Sequence, residues 1–258
     1  MTNIPLPQEL IFEDKKNNIG IFKIEGLHSG YGITLGNALR RVLLSSLEGS
    51  AVISFKIEGV DHEFTTIPGV LEDVIQIMLN LKKLRIKILS DGPETLFIRV
   101  KGGKEITGRD IERNANVEII NKDLVLMTVT DKKTSLIMEI TVAHGLGYQT
   151  SDKVQTEKLS IGTIAVDAIF TPVRSVQDSV EKMRVGERTD YDRLVLKVET
   201  DGSISPQEAF NEAVTILIDQ FKALTVNAST NDKEVDSEEE TTEEESGEKT
   251  KKAKKAKK

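Results

Sequence analysis

The stretch that most constrains this chain runs from Gly30 to Leu47, where a glycine-rich turn leads directly into a periodic apolar segment. Thr34 is a candidate N-cap, because a hydroxyl can accept a hydrogen bond from a free amide of the first helical turn. The large apolar residues recur at the three- and four-residue spacing of one helix face: Leu35, Leu39, Val42, Leu43 and Leu47. The pattern predicts an amphipathic helix that begins near Thr34.

Two successive arginines of this helix, Arg40 and Arg41, point about 100° apart and cannot both face its apolar stripe. The helix could be a core element with two solvated arginines, or its N-terminus could bind an anion. It could also be a protein-docking surface on which a guanidinium meets a partner's carboxylate. The glycine spacing matches neither the P-loop nor the dinucleotide fingerprint, which disfavours the anion site.

Composition restricts the class of protein. The chain has no cysteine, which excludes disulfides and thiolate metal sites and predicts a reducing compartment, the cytoplasm. The first ten residues predict no secretion signal, and no stretch approaches the roughly 20 apolar residues that cross a bilayer. A hydrophobic content of 38% supports a core, and a net charge of −7 argues against a broad basic face for duplex DNA.

Hydrophobic periodicity predicts the other elements. Alternating residues predict strands at Ile19–Leu27 and Ala51–Val60, and Gly49 suits a left-handed residue at the end of the preceding helix. Helical spacing predicts a helix over Val70–Leu81 with two acidic residues in its first turn. A mainly β region is predicted next, with strands at Arg85–Ser90, Thr95–Val100, Val117–Ile120, Leu124–Thr130 and Leu136–Val142.

The last predicted helix, Ser205–Leu224, opens with a capping box, since Ser205 is followed by Pro206 at the first helical position and then by Glu208. Its apolar stripe is wider than packing on one sheet requires, so we expect burial against a partner as well. The stripe comprises Phe210, Ala213, Val214, Ile216, Leu217, Ile218, Phe221 and Leu224.

Beyond this helix the composition changes abruptly. Residues 229–258 contain ten acidic residues and eight lysines, and no aromatic residue. A segment of this composition cannot bury enough apolar surface to offset its chain entropy, so we predict that it is disordered.

Two carboxylate-containing motifs are candidates for metal binding or catalysis. Asp61-His62-Glu63 lie side by side at a predicted strand end, so their side chains diverge. Asp190 and Asp192 share a strand face, but three arginines lie close in sequence and favour ion pairing on a turn. We therefore predict no metal site.

Five segments resemble, in order, the motifs of the bacterial RNA polymerase alpha-subunit family. They read GYGITLGNALRRVLLSSLEGSAV, GVDHEFTTIPGVLEDVIQIMLNLKKL, HGLGY, IGTIAVDAIFTPV and RVGERTDYDRLVLKVETDGSISPQEA. Each motif alone is weak, but their combination over about residues 10–226 is highly specific.

The resemblance implies an α+β fold with two lobes. A dimerisation lobe, made of an antiparallel sheet and two helices, is expected from residues 1–48 and 170–228, with a mainly β lobe inserted at 49–169. The helices matching Thr34–Leu47 and Ser205–Leu224 are expected to pack against their copies in a homodimer. The implied dimer interface comprises Tyr31, Leu35, Leu39, Phe210, Leu217, Phe221 and Leu224.

The resemblance also implies a non-catalytic subunit of DNA-directed RNA polymerase, a nucleotidyltransferase, that needs no cofactor. In this family the dimer holds the beta and beta′ subunits. Arg41 occupies a position of the beta-docking surface, and Asn37, Arg40 and His62 lie on neighbouring motif positions. Lys82 lies in a segment associated with large-subunit contacts.

The chain departs from the family pattern in two places. Leu146 stands where the family usually has an arginine, which puts a charged contact there in doubt. The usual C-terminal DNA-binding domain is expected to be absent, so contact with DNA is expected to be indirect, or weak through the tail lysines. Residue patterns alone leave two other functions open: a nucleotide-binding enzyme using Gly30–Gly36 with Asp190 and Asp192, and a DNA-binding regulator acting through the lysines.

Overall fold

This computed structural model describes residues 4–16, 18–152, 160 and 162–225, in which fourteen strands and three α-helices are connected by turns, loops and one short 3-10 helix, Gly108–Asp110. The helices are α1 (Tyr31–Ser45), α2 (Val74–Leu81) and α3 (Pro206–Ala223). The strands are β1 (Glu9–Lys15), β2 (Ile19–Leu27), β3 (Glu48–Ile57), β4 (Ile86–Ile88), β5 (Glu94–Lys101), β6 (Lys104–Thr107), β7 (Val117–Ile119), β8 (Val125–Val129), β9 (Ser135–Leu146), β10 (Tyr148–Gln149), β11 (Thr163–Ala165), β12 (Ala168–Ile169), β13 (Val173–Val185) and β14 (Arg188–Thr200). The predicted α+β class is confirmed.

The chain divides into two compact units within α3, Met1–Leu217 and Ile218–Lys258. Of the second unit, the described part is the end of α3 and the turn at Leu224 and Thr225. The predicted disordered segment, 229–258, lies outside the described residues. Within the described part, no helix is both long and apolar enough to cross a membrane.

One four-stranded antiparallel sheet is built from sequence-distant strands in the order β1-β2-β14-β13. Its inward side chains alternate along β14, and α1 packs on β13 and β14. The ring of Phe22 on β2 stacks on that of Phe210 on α3, with centroids 4.2 Å apart. This sheet therefore shares one apolar core with α1 and the first turns of α3.

A second core lies in the middle of the sequence, between Val52 and Val166. Its main sheet has the order β11-β3-β9-β5, and the short pairs β4–β7 and β6–β8 flank it. Helix α2 contributes three fully buried residues, Val74, Ile77 and Leu81. This arrangement agrees with a mainly β middle region, whereas the lobe boundaries at 48/49 and 169/170 stay predictions.

Gly49 does not end helix α1 in a left-handed conformation, and that prediction was wrong. The helix ends at Ser45, and Gly49 lies within β3, directly opposite Gly145 of β9. A Cβ on Gly49 would lie 1.7 Å from the Phe170 carbonyl oxygen, and one on Gly145 would lie 2.6 Å from the Phe170 ring. The glycine pair is therefore required because Phe170 packs against bare backbone.

Two predicted helix starts were also wrong. Helix α1 begins at Tyr31, three residues before Thr34, whose hydroxyl donates to the Gly30 carbonyl instead of capping the helix. Helix α2 begins at Val74, because Asp73 is its N-cap and accepts from the Gln76 amide at 2.7 Å. By contrast, β2 has the predicted bounds, and the predicted capping box opens α3.

Candidate functional site

Arg40 and Arg41, the paired arginines of α1, have different surroundings. The Arg40 guanidinium lies 2.9 Å from a carboxylate oxygen of Asp178 on β13, an ion pair that ties α1 to the sheet. Arg41 is exposed, and among the described residues its side chain has no hydrogen-bond or ion-pair partner. Asn37 is also exposed and lies four residues before Arg41, so the two share a helix face. Arg41 is thus the arginine available to a partner.

Asp192 closes the N-terminus of α1. Its carboxylate accepts from the amides of Gly30 at 2.8 Å and Gly32 at 3.2 Å, and the Lys182 ammonium lies 2.7 Å away. A Cβ on Gly32 would meet Val180 at 2.7 Å, so the turn fits only with a glycine there. Burial opposes ionisation of Asp192, but these three donors outweigh it and hold its pKa below the ordinary value.

The same arrangement weighs against nucleotide binding at the glycine-rich turn. The amides that a phosphate would need already donate to the protein's own carboxylate. Asp190 does not join Asp192, because it pairs with Arg188 at 2.7 Å on the surface while Asp192 is buried. Within the described residues, no three His, Cys, Asp or Glu side chains are grouped to hold a metal ion.

The predicted dimer residues differ in exposure. Leu39 and Phe210 are buried in the core of the single chain, and Leu35 and Leu217 pack partly buried against that core. Tyr31, Phe221 and Leu224 are exposed. The exposed members could contact a second chain directly, whereas the buried ones support the helices from beneath. Their role at an interface stays a prediction.

The two predicted docking residues of the middle region, His62 and Lys82, lie on its surface. His62 is exposed, and its Nδ1 lies 3.0 Å from the hydroxyl of Thr65. Lys82 is the first residue after α2, and its ammonium lies 3.3 Å from a carboxylate oxygen of Asp167. That carboxylate also accepts from the Ser151 amide at 2.9 Å, and the Ser151 amide, with Lys82, holds the Asp167 pKa below its ordinary value.

Sequence reasoning missed the positioning role of three carboxylates: Asp167, Asp178 and Asp192. The role of Asp192 could have been predicted, because the residue lies in the inward phase of β14 with Leu194, Leu196 and Val198. A carboxylate in a buried phase requires a partner, since leaving it unpaired is costly. Neither Asp167 nor Asp178 carries a comparable signal in the sequence.

Comparison with known proteins bears directly on these motifs. Residues 55–171 match the family model described as the RNA polymerase Rpb3/RpoA insert domain. The chain is 46% identical over 228 residues to the DNA-directed RNA polymerase subunit alpha of Clostridium botulinum strain Eklund 17B, covering 88% of this chain and 72% of that protein. The chain belongs to the DNA-directed RNA polymerase alpha-subunit family.

Other alpha subunits match over a similar range. The Symbiobacterium thermophilum protein is 49% identical over 223 residues, covering 85% of this chain and 70% of its own length. The protein of Clostridium botulinum strain Hall is 48% identical over 223 residues, and the match covers 86% of this chain and 70% of that protein. The insert-domain match begins at Phe55 in β3 and ends at Thr171, just before β13, and so contains every residue of the middle core of this alpha-family chain except Val52.

Proposed function

We propose that this chain is the non-catalytic alpha subunit of a DNA-directed RNA polymerase, in which it dimerises and holds the beta and beta′ subunits. The observation that carries the proposal is identity of 46–49% with alpha subunits over most of the chain. The chain then serves a nucleotidyltransferase complex without contributing its active site. The absence of cysteine from the sequence suits assembly in the reducing cytoplasm.

Exposed apolar side chains on the helices support dimerisation. On α3, Ile218 is exposed and Phe221 is 63% exposed, and Leu224, which follows the helix directly, is 75% exposed. On α1, Tyr31 and Leu44 are exposed. Exposed apolar residues at helical spacing are typical of surfaces that a partner covers, because burying them removes apolar area from water. A second copy of this chain is the partner that we propose.

Arg41 supports large-subunit docking. Its guanidinium is free of intramolecular partners among the described residues, so it can meet a carboxylate of a partner in two parallel hydrogen bonds. Asn37 on the same face can add a donor and an acceptor. We assign Arg41 and Asn37 to the beta-docking surface. Arg40 supports that surface through Asp178, and His62 and Lys82 extend large-subunit contact to the middle region.

Reconstitution with purified large subunits tests the proposal. The full chain, beta and beta′ are mixed, and the mass of each complex is measured by size-exclusion chromatography with light scattering. We expect a dimer of this chain alone and an assembly of two copies with one beta and one beta′. Promoter-independent RNA synthesis by that assembly completes the test. A monomer that captures neither large subunit would overturn the proposal.

A further inference from the structure

The motif His144–Tyr148 has no part in the dimerisation or Arg41 contacts proposed above, and the fold explains its glycines. Gly145 leaves room for the Phe170 ring, and Gly147 takes a left-handed φ of +63° between β9 and β10. The Phe170 amide then donates to the Gly147 carbonyl at 2.9 Å. The backbone on both sides of Gly147 is therefore held against Phe170, which fixes the direction of the motif's other side chains.

Three large apolar side chains are left exposed around this turn: Leu146 at 62%, Tyr148 at 57% and Ile169 at 50%. Tyr148 and Ile169 are directly opposite in the antiparallel pair of β10 and β12. Opposite residues of such a pair project on one face, with Cβ atoms about 5 Å apart. We call Leu146, Tyr148 and Ile169 the β10–β12 patch.

The ion pair of Lys82 with Asp167 lies beside this patch, since Asp167 is two residues before Ile169 in the chain. Partial burial, and then the negative charge of the neighbouring Asp167 carboxylate, raise the pKa of Tyr148. The same carboxylate binds Lys82 at 3.3 Å and the Ser151 amide at 2.9 Å. Tyr148 therefore exposes its ring in the patch and lies close to the Asp167 carboxylate. The patch is continuous with a residue that we assign to large-subunit docking.

The charges beside the patch indicate what kind of segment would cover it. Asp61, Glu63 and Asp167 line a cavity of about 200 Å³, and only Asp167 of these three has an ion-pair partner among the described residues. A partner segment with a basic side chain on that side would be favoured over an acidic one. Leu146 itself offers no charge, so its contact has to be apolar.

We propose that the β10–β12 patch binds a segment of a polymerase large subunit that presents an apolar side chain next to a basic one. This inference rests on the proposed function, because it extends the docking surface that includes Lys82. Aromatic and aliphatic side chains surrounded by a polar rim are the usual centre of a protein interface. The hydrogen bonds at Gly147 and Asp167 hold the patch in place before binding, which lowers the ordering cost of association.

The test measures binding of purified beta and of beta′ to the full-length chain by biolayer interferometry. Leu146→Asp and Ile169→Asp are compared with Leu89→Asp, which changes an equally exposed leucine outside the patch. We expect the two patch variants to bind one large subunit at least tenfold more weakly. We expect Leu89→Asp to bind like the unmodified chain, and all three to keep the dimer mass and melting temperature.

Three results would overturn the inference. Unchanged binding by both patch variants would show that no large subunit covers the patch. Loss of the dimer in Leu146→Asp would show that a second copy covers it instead. Equal loss in Leu89→Asp would show a general effect of added charge. The unmodified chain and Arg41→Ala, measured in parallel, separate the two proposals. Weakened binding by Arg41→Ala with unchanged binding by the patch variants removes only the further inference, whereas an unmodified chain that binds neither large subunit contradicts the proposed function.

Discussion

The carboxylate of Asp192 accepts a hydrogen bond from the Gly30 amide at 2.8 Å, although the two residues are 162 positions apart in the chain. One buried side chain of β14 thereby fixes the start of α1, the helix that carries Arg41. Gly30 is the N-cap residue of this helix and has no side chain that could accept from the free amides. The start of the helix therefore depends on a strand near the other end of the described chain rather than on a local cap. The direction of Arg41 therefore depends on the sheet being complete.

Replacing Asp192 should destabilise the fold. Asp192→Ala leaves the amides of Gly30 and Gly32 without their acceptor, at a cost of about 1–3 kcal/mol. Asp192→Asn keeps one acceptor oxygen but loses the ion pair with Lys182, so it should cost less. Urea unfolding at pH 7 measures both. Equal stability of Asp192→Ala and the unmodified chain would contradict the capping role.

The pH dependence of this contribution has a defined sign. The pKa of Asp192 is lower in the folded chain than the ordinary aspartate value of about 3.9. Its ionised form therefore stabilises the fold above that value, and the stabilisation is lost as pH falls through the folded pKa. We expect the stability difference between the unmodified chain and Asp192→Asn to be constant from pH 7 to 5 and to shrink below about pH 4.

Gly49→Ala should disrupt the packing of Phe170. The new methyl group would overlap the Phe170 carbonyl, and backbone cannot move aside as a flexible side chain can. We expect a loss of at least about 2 kcal/mol of unfolding free energy. Gly92→Ala is the matched control, because no atom lies within 4 Å of its added Cβ. Thermal unfolding of both variants should show a lowered melting temperature for Gly49→Ala alone.

Phe221→Asp should separate the proposed dimer without unfolding the protomer. The side chain is exposed in the single chain, so the cost of a buried carboxylate arises only when a second copy covers it. Interface aromatics of this kind typically contribute 2 kcal/mol or more, which is roughly a 30-fold change in dissociation constant. Light scattering at micromolar concentration measures the mass. Gln220→Asp, on the neighbouring exposed position, should remain dimeric; a dimeric Phe221→Asp would place the interface elsewhere.

Arg41→Ala should weaken capture of the beta subunit while the dimer stays intact. Removing one member of a buried, hydrogen-bonded charge pair costs about 2–5 kcal/mol, much of it from the partner group left unpaired. Arg99→Ala is the control, because Arg99 is also exposed but pairs within the chain with Glu112 at 2.7 Å. Pull-down with beta measures both variants. Equal capture by the two would exclude Arg41 from the contact.

The sequence predicted elements whose causes are local. The bounds of β2 follow from alternation, and the start of α3 follows from Ser205 and Glu208, whose side chain accepts from the Ser205 amide at 3.1 Å. The start of α1 and the role of Gly49 were mispredicted because their causes, Asp192 and Phe170, are far away in sequence. Propensity and capping rules act over a few residues and carry no information about such partners.

The candidate site likewise has features that the local sequence predicts and features that depend on distant residues. Arg40 and Arg41 are recognisable as candidates from the sequence. Only the ion pair of Arg40 with Asp178 distinguishes the two arginines, and it cannot be predicted without knowing which strand packs on α1. The exposure of Leu146 follows from the packing of Phe170 against Gly145, another contact between distant residues.

The strand order β1-β2-β14-β13 has a consequence for synthesis on the ribosome. Strand β2 pairs with β14, and the Gly30 amide donates to Asp192, which is synthesised 162 residues later. At about 5–20 residues per second, translation takes roughly ten to thirty seconds to cover that distance. During this interval β2 emerges with one edge unpaired, an edge that other chains can pair with. The middle core, from Val52 to Val166, is fully translated before β14 appears. Nascent chains stalled before β14 should therefore contain a folded middle region beside an aggregation-prone N-terminal hairpin.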